Sequence, residues 1–300
     1  MITVRHLLQL FPGRRHQPAA FVVASLIVAT QISSCGAIVS RASAKMADNL
    51  SGAILNQDDP ELVREALPAY LLLMDSLNSS ESDNAGTLSA AAQLYAAYGA
   101  ALVEDPERAK ILTSRARNYG ERALCAAEKQ ACNLDGLDFD TYLLAIHSVN
   151  KDDVEALYSY SLSSLAWVRY HSNDYKALAD LPKIEAALQH VMTLEPGDLA
   201  ASTSMYLGIL NTLRPPALGG DPEAGREWFE RGIELSEGKD LSIKVEYARG
   251  YARLLYKREL HDQLLNDVMA TEVEQPDLTL FNLLARELAE LLLASADDYF

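Results

Sequence analysis

The chain has 300 residues, 49% hydrophobic and 7% aromatic, enough for one or two packed domains. Arg5, Arg14 and Arg15 are the only charged side chains in the first 34 residues, so a formal net charge of −16 becomes −19 for the remainder, with 23 basic against 42 acidic residues. So acidic a surface, with no basic stripe, repels nucleic acid and anionic headgroups alike and excludes nucleic-acid binding.

The first element is a targeting segment. Arg14-Arg15 precede the apolar run "AAFVVASLIVATQI" from Ala19 to Ile32, which is too short for a comfortable membrane span. The run ends in Ile32-Ser33-Ser34-Cys35-Gly36, an aliphatic residue and two small ones before a cysteine. This stretch resembles the lipobox of bacterial lipoproteins. The resemblance implies a signal peptide over 1–34, Cys35 as the site of lipid attachment, and an anchored N-terminal segment over 35–55. The alternatives are an uncleaved anchor or a plain secretory signal with a chance cysteine. Acyl chains on Cys35 would bind a membrane stably, since each buried CH₂ contributes about 0.8 kcal/mol. Gly36, rather than Asp, favours the outer over the inner membrane where that sorting rule applies.

Residues 56–300 read as one all-helical domain with short polar breaks. Breaks are expected at Asn56 to Pro60, Asn78 to Gly86, Glu104-Asp105-Pro106, Cys132 to Asp140, Asn150 to Asp153, Glu195 to Asp198, Arg214 to Asp221 and Glu274 to Asp277. Acid-Pro and Pro-Gly pairs at these points are helix stop and start signals. Between them the apolar spacing is helical: Ile243, Tyr247, Tyr251, Leu254 and Leu255 form one stripe, and Phe281, Leu284, Ala285, Leu288, Leu291 and Leu292 another. Cys125 and Cys132 flank a helix end and a polar loop. In an oxidising compartment a bridge leads over two free buried thiols, and would stabilise by about 2.5 kcal/mol on the chain-entropy model.

The glycines of "RPPALGGDPEAGREWF", from Arg214, do not make a phosphate loop. Pro222 lacks an N–H, and Asp221 and Glu223 repel an anion. The residues instead make a helix start, with Asp221 as N-cap and Pro222 at the first position. Gly225, Trp228, Phe229, Gly232, Ile233 and Ser236 then share one face.

"ARNYGERALCA" from Ala116, "IEAALQHVMTLEP" from Ile184 and "GREWFERGIEL" from Gly225 resemble the second helix of tetratricopeptide (TPR) repeats. Small residues there let helices approach and large ones fill the gap between repeats. The copies are uneven and do not recur at a constant interval of about 34 residues. Such repeats stack into an α-solenoid with a concave face.

Catalytic constellations do not rise above background. His147, His171, His190 and His261 stand apart in the sequence, without H-E-x-x-H or H-x-H spacing, so no metal site is expected. No serine sits in G-x-S-x-G, and pairs such as Asp152-Asp153 read as solvated charge. No cofactor motif occurs and no enzymatic activity is expected. Tyr158, Tyr160, Trp167, Tyr170 and Tyr175 crowd one helix and its exit, with Tyr206 further on. They suit a cleft, but inter-helix packing is the leading reading.

Several stretches fall in an order that identifies a family. They are Leu165-Ala166-Trp167, Ala179-Asp180-Leu181-Pro182, Leu213 with Pro215-Pro216, Gly219-Gly220-Asp221, Trp228-Phe229, then Leu280, Asn282, Ala285 and Leu291-Leu292-Leu293. Together with the leader they resemble the T component of tripartite ATP-independent periplasmic (TRAP) transporters, the TatT family. The resemblance implies a periplasm-facing lipoprotein that works with a periplasmic solute-binding protein and a TRAP permease in uptake driven by an ion gradient. It also implies a ligand-accessible apolar cavity, with an apolar or organic-acid ligand, and association into homo-oligomers. The rival from another class is a TPR lipoprotein that scaffolds outer-membrane or pilus assembly. If a ligand or partner groove exists, Trp167, Tyr170, Tyr206, Asn211, Arg214, Asn282 and Arg286 are its candidates. Arg would hold a carboxylate in a bidentate way. The alternative for Asn211 and Asn282 is that they cap or bridge helices.

Overall fold

The computed structural model describes residues 51–79, 83–213, 216 and 220–300. Contacts divide the chain into residues 1–53, of which only the helical 51–53 are described, and the unit Ile54–Phe300. The leader, the expected lipid attachment at Cys35, and Arg214, Pro215 and Gly219 lie outside the described residues.

The unit Ile54–Phe300 is all α, with no strand among the described residues. Its helices are α1 (Pro60–Leu77), α2 (Ala85–Ala97, running into a π segment Tyr98–Leu102), α3 (Pro106–Ala127), α4 (Phe139–His147) and α5 (Val154–Tyr170). There follow α6 (Tyr175–Ala179), α7 (Leu181–Thr193), α8 (Leu199–Thr212), α9 (Pro222–Leu235) and α10 (Leu241–Tyr247, running into a π segment Ala248–Ala252). The chain ends in α11 (Arg258–Ala270), α12 (Thr279–Ala294) and α13 (Ala296–Tyr299).

Acid-Pro punctuation sets three of the starts. Asp59, Asp105 and Asp221 each accept a first-turn N–H, and Pro60, Pro106 and Pro222 follow at the position where a missing N–H costs nothing. Asn84, Asp138, Asp174 and Asp240 cap α2, α4, α6 and α10 through side-chain oxygens in the same way. The structure adds breaks at 171–174, 236–240 and 256–257 that no Pro signals. Glu237, Gly238 and Tyr256 turn there through positive φ.

The helices pack in two rows. α2, α5, α8, α10 and α12 form the first, each touching the next, and α3, α7, α9 and α11 wedge behind successive members of it. α1 touches both α2 and α12, so the first and last long helices meet. Leu280 of α12 shares a core cluster with Val63, Leu67 and Leu71 of α1. Asn56 seals that junction, donating to Asp277 Oδ1 at 2.9 Å and accepting the Asp277 N–H at 2.8 Å.

All three TPR-like stretches fall on second-row helices, and small residues of two of them sit at close approaches to the first row. A Cβ on Gly120 of α3 would lie 3.0 Å from Tyr160 Cα of α5. A Cβ on Gly225 of α9 would lie 3.1 Å from the Gly208 carbonyl of α8, and one on Gly208 itself 2.7 Å from the Phe229 ring of α9. The stripe expected on α12 is rotated: Leu280, Asn282, Ala285, Ala289 and Leu292 are buried, while Leu291 is 68% exposed. Small residues at 282, 285 and 289 let α10 and α11 come close, so that face, not the leucine-rich one, carries the contact. Cys125, near the end of α3, and Cys132 are joined as a disulfide with Cα atoms 4.4 Å apart.

Candidate functional site

The first row carries half-buried polar and aromatic groups at helical spacing: Ser202 and Tyr206 on α8, and Ser242, Glu246 and Arg249 on α10 and its π segment. Arg169 and Tyr170 close α5. Tyr158 of α5 donates to Ser202 Oγ at 3.1 Å, and its ring centre lies 6.3 Å from that of Tyr206. Asp240, 8% exposed, accepts the Ser242 N–H at 3.0 Å as the N-cap of α10.

The electrostatics tie these groups together. Burial raises the Tyr206 phenol well above its ordinary range, and Tyr158, Asp240 and Glu246 push it further. Burial likewise raises Tyr158, again with Asp240 adding. Asp240 itself is raised by burial. These phenols stay neutral hydroxyls, able to donate or accept a hydrogen bond in a partly desolvated recess.

The expected groove residues do not converge. Trp167 turns toward the second row, its ring stacked at 4.7 Å on His171 and covered at 4.2 Å by the Arg117 guanidinium of α3. Asn211 donates to Glu185 Oε1 of α7 at 3.1 Å and to the Leu207 carbonyl at 2.9 Å. Asn282 is wholly buried; it accepts the Leu241 N–H at 2.9 Å and donates to the Lys239 and Val273 carbonyls at 3.0 and 3.1 Å. Arg286 donates to the Thr271 carbonyl at 2.6 Å, which caps α11. These four bind the two rows and their loops to one another. Tyr170 and Tyr206 alone remain on the first-row side, Tyr170 donating to the Ala100 carbonyl of α2 at 3.2 Å.

Arg169, Asp240, Glu246 and Arg249 were not among the expected residues. Only Arg249 carries a sequence signal, the Gly-containing stretch "ARGYA", which forms a π segment as "YGAAL" does at 98–102. Such widened turns recur at functional positions.

Elsewhere, Arg117, Asp135, Tyr160, Ser164, Asp180 and Lys183 line a slot of about 10 Å³, room for a single water. Ser164 Oγ there has no hydrogen-bond partner, so a bridging water suits it. His147 and His190, apart in sequence, have ring centres 5.0 Å apart. They gather no acidic third partner, and no group of His, Cys, Asp and Glu fit to hold a metal occurs among the described residues. No described helix is long and apolar enough to cross a membrane.

No curated protein matches the chain. The family model described as "TRAP transporter T-component" matches residues 56–300, which span every helix of the two rows. That family is in general non-catalytic and associates with the other components of its transporter. The chain belongs to the TRAP transporter T-component family.

Proposed function

We propose that this protein is the lipid-anchored adaptor of a TRAP-type uptake system, held at the outer membrane through acylated Cys35 and docking a periplasmic solute-binding protein. In this reading the two rows form a TPR-like solenoid, and its first row passes a small ligand between the solute-binding protein and the TRAP permease. The family match over 56–300 carries the proposal. The half-buried polar face of α5, α8 and α10 supports it, because the second-row sides of the same helices are already filled.

The test is affinity capture from a periplasmic extract of the native organism, using the chain with Cys35→Ala and identifying partners by mass spectrometry. Recovery of a solute-binding protein is the expected result. Recovery of envelope assembly proteins instead would move the chain to a scaffolding role and overturn the transport reading.

A further inference from the structure

The disulfide closes one end of a loop that roofs the polar slot. Cys125 and Cys132 flank the short 3₁₀ turn Lys129–Ala131, and residues 132–138 then cross to the start of α4. Among the described residues no N–H of residues 132–136 donates to a backbone carbonyl, and the chain turns through positive φ at Asn133 and Gly136. The loop is held at separate points instead. The bridge fixes its beginning, and Ala131 and Leu134 are buried in one core cluster with Tyr142 and Tyr160. Asp135 accepts from Arg117 Nη2 at 2.7 Å, and the Leu137 carbonyl accepts from Lys183 Nζ at 2.7 Å.

These last two ties close the slot. The loop lines it with Leu134 and Asp135, α5 with Tyr160 and Ser164, and Arg117 and Lys183 reach it from α3 and α7. Ser164 is 3% exposed and its Oγ has no partner, so the floor of the slot is polar and sealed. Arg117 also donates to Glu121 Oε1 at 2.8 Å and to Asp180 Oδ2 at 3.3 Å, and its guanidinium covers Trp167 at 4.2 Å. Three carboxylates thus share one guanidinium. Asp135, with 76% of its side chain exposed, can leave without stranding a charge, because Arg117 keeps two partners and water serves the freed carboxylate.

We propose that the Cys125–Cys132 bridge is a redox clasp, whose reduction by a dithiol lets residues 128–138 lift from the slot, drawing Asp135 off Arg117 and opening Tyr160 and Ser164 to water. Both cysteines are half-buried, within reach of a small reductant. One thiolate of the dithiol attacks a bridge sulfur and displaces the other cysteine, which takes up a proton. The second thiol then closes the reductant into a cyclic disulfide and leaves Cys125 and Cys132 as thiols. Without the bridge the loop keeps one exposed ion pair, one hydrogen bond and its two apolar contacts against the conformational freedom it regains. The proposal stands apart from the transport reading, which needs no change at this slot.

Trp167 reports the event, since it lies under the guanidinium that Asp135 would leave. The experiment uses the chain with Cys35→Ala, in which Cys125 and Cys132 are the only cysteines, and with Trp228→Phe, in which Trp167 is the only tryptophan. Its fluorescence is quenched with iodide and with acrylamide, before and after dithiothreitol, at constant ionic strength. Reduction should raise iodide quenching about twofold, the effect of removing one negative charge within a Debye length, and leave acrylamide quenching and helix content unchanged. Asp135→Asn should give the same rise with the bridge intact. Trypsin provides a second readout that retains Trp228. Cys125→Ser with Cys132→Ser should speed cleavage after Lys129 tenfold or more, by roughly the population of the lifted loop, and leave cleavage after the distant, exposed Lys257 unchanged. Iodide quenching that ignores reduction, or that rises no more than acrylamide quenching, overturns the proposal. So does a bridge that resists dithiothreitol in the folded protein, or equal acceleration at Lys129 and Lys257, which would mean that the disulfide only adds global stability.

Discussion

Asn282 is the residue at which a ligand-binding role and a structural role predict opposite outcomes. Its side chain is wholly buried and makes three bonds to backbone groups of two different loops. Asn282→Ala orphans the Leu241 N–H, which sits beside a fully buried side chain where water does not reach. An unmet buried donor costs about 2–3 kcal/mol. The Lys239 and Val273 carbonyls lose a donor too, at about 1 kcal/mol each, because both lie in loops that water can partly serve. The sum is about 4 kcal/mol, a lowering of Tm by about 10 °C for a unit of this size. The assay is urea unfolding followed by circular dichroism, with hydrogen exchange read at 239–245 and 271–279. Exchange should accelerate first in those two stretches, and partner capture below the lowered Tm should be unchanged. A loss under about 1 kcal/mol would refute the bridging argument, and intact stability with capture abolished would return Asn282 to a binding face.

Gly208→Ala places a methyl 2.7 Å from the Phe229 ring, and the resulting separation of α8 and α9 should cost about 1–3 kcal/mol by chemical denaturation. Cys125→Ser together with Cys132→Ser should lower stability by about 2.5 kcal/mol, and dithiothreitol should lower wild type to the same denaturation midpoint without affecting the double variant. Asp240 gives a pH signature. Burial raises its pKa above the ordinary 3.8, so the folded state binds that proton more tightly than the unfolded state. Its contribution is greatest below 3.8, is lost as pH rises through the folded value, and is flat above it. The difference in stability between Asp240→Asn and wild type should therefore shift in the variant's favour across that window, and a flat difference profile would contradict the assignment.

The all-helical fold and the helix starts were legible because each is written locally. Asp221 with Pro222, and Asp105 with Pro106, specify a start whatever lies around them. The breaks at 236–240 and 256–257 were not, since a turn through positive φ at Glu237 or Tyr256 is imposed by the packing of the flanking helices rather than by the residue itself. The α12 stripe failed for a related reason. Counting large apolar residues brings in Leu291, which is exposed, and leaves out Asn282 and Ala289, which are buried where α10 and α11 come close.

Asn211, Asn282 and Arg286 are polar residues on apolar helices, a pattern shared by ligand contacts and helix bridges: Asn282 and Arg286 satisfy backbone groups where one helix ends against the next, and Asn211 bonds its own helix and Glu185 of α7. The same array exposes what a ligand residue should look like here. It belongs to a first-row helix, faces away from the second row, and lacks a backbone partner. The two π segments, by contrast, are marked in the chain itself by Gly99 and Gly250, where a missing side chain lets a neighbouring helix press against the widened turn.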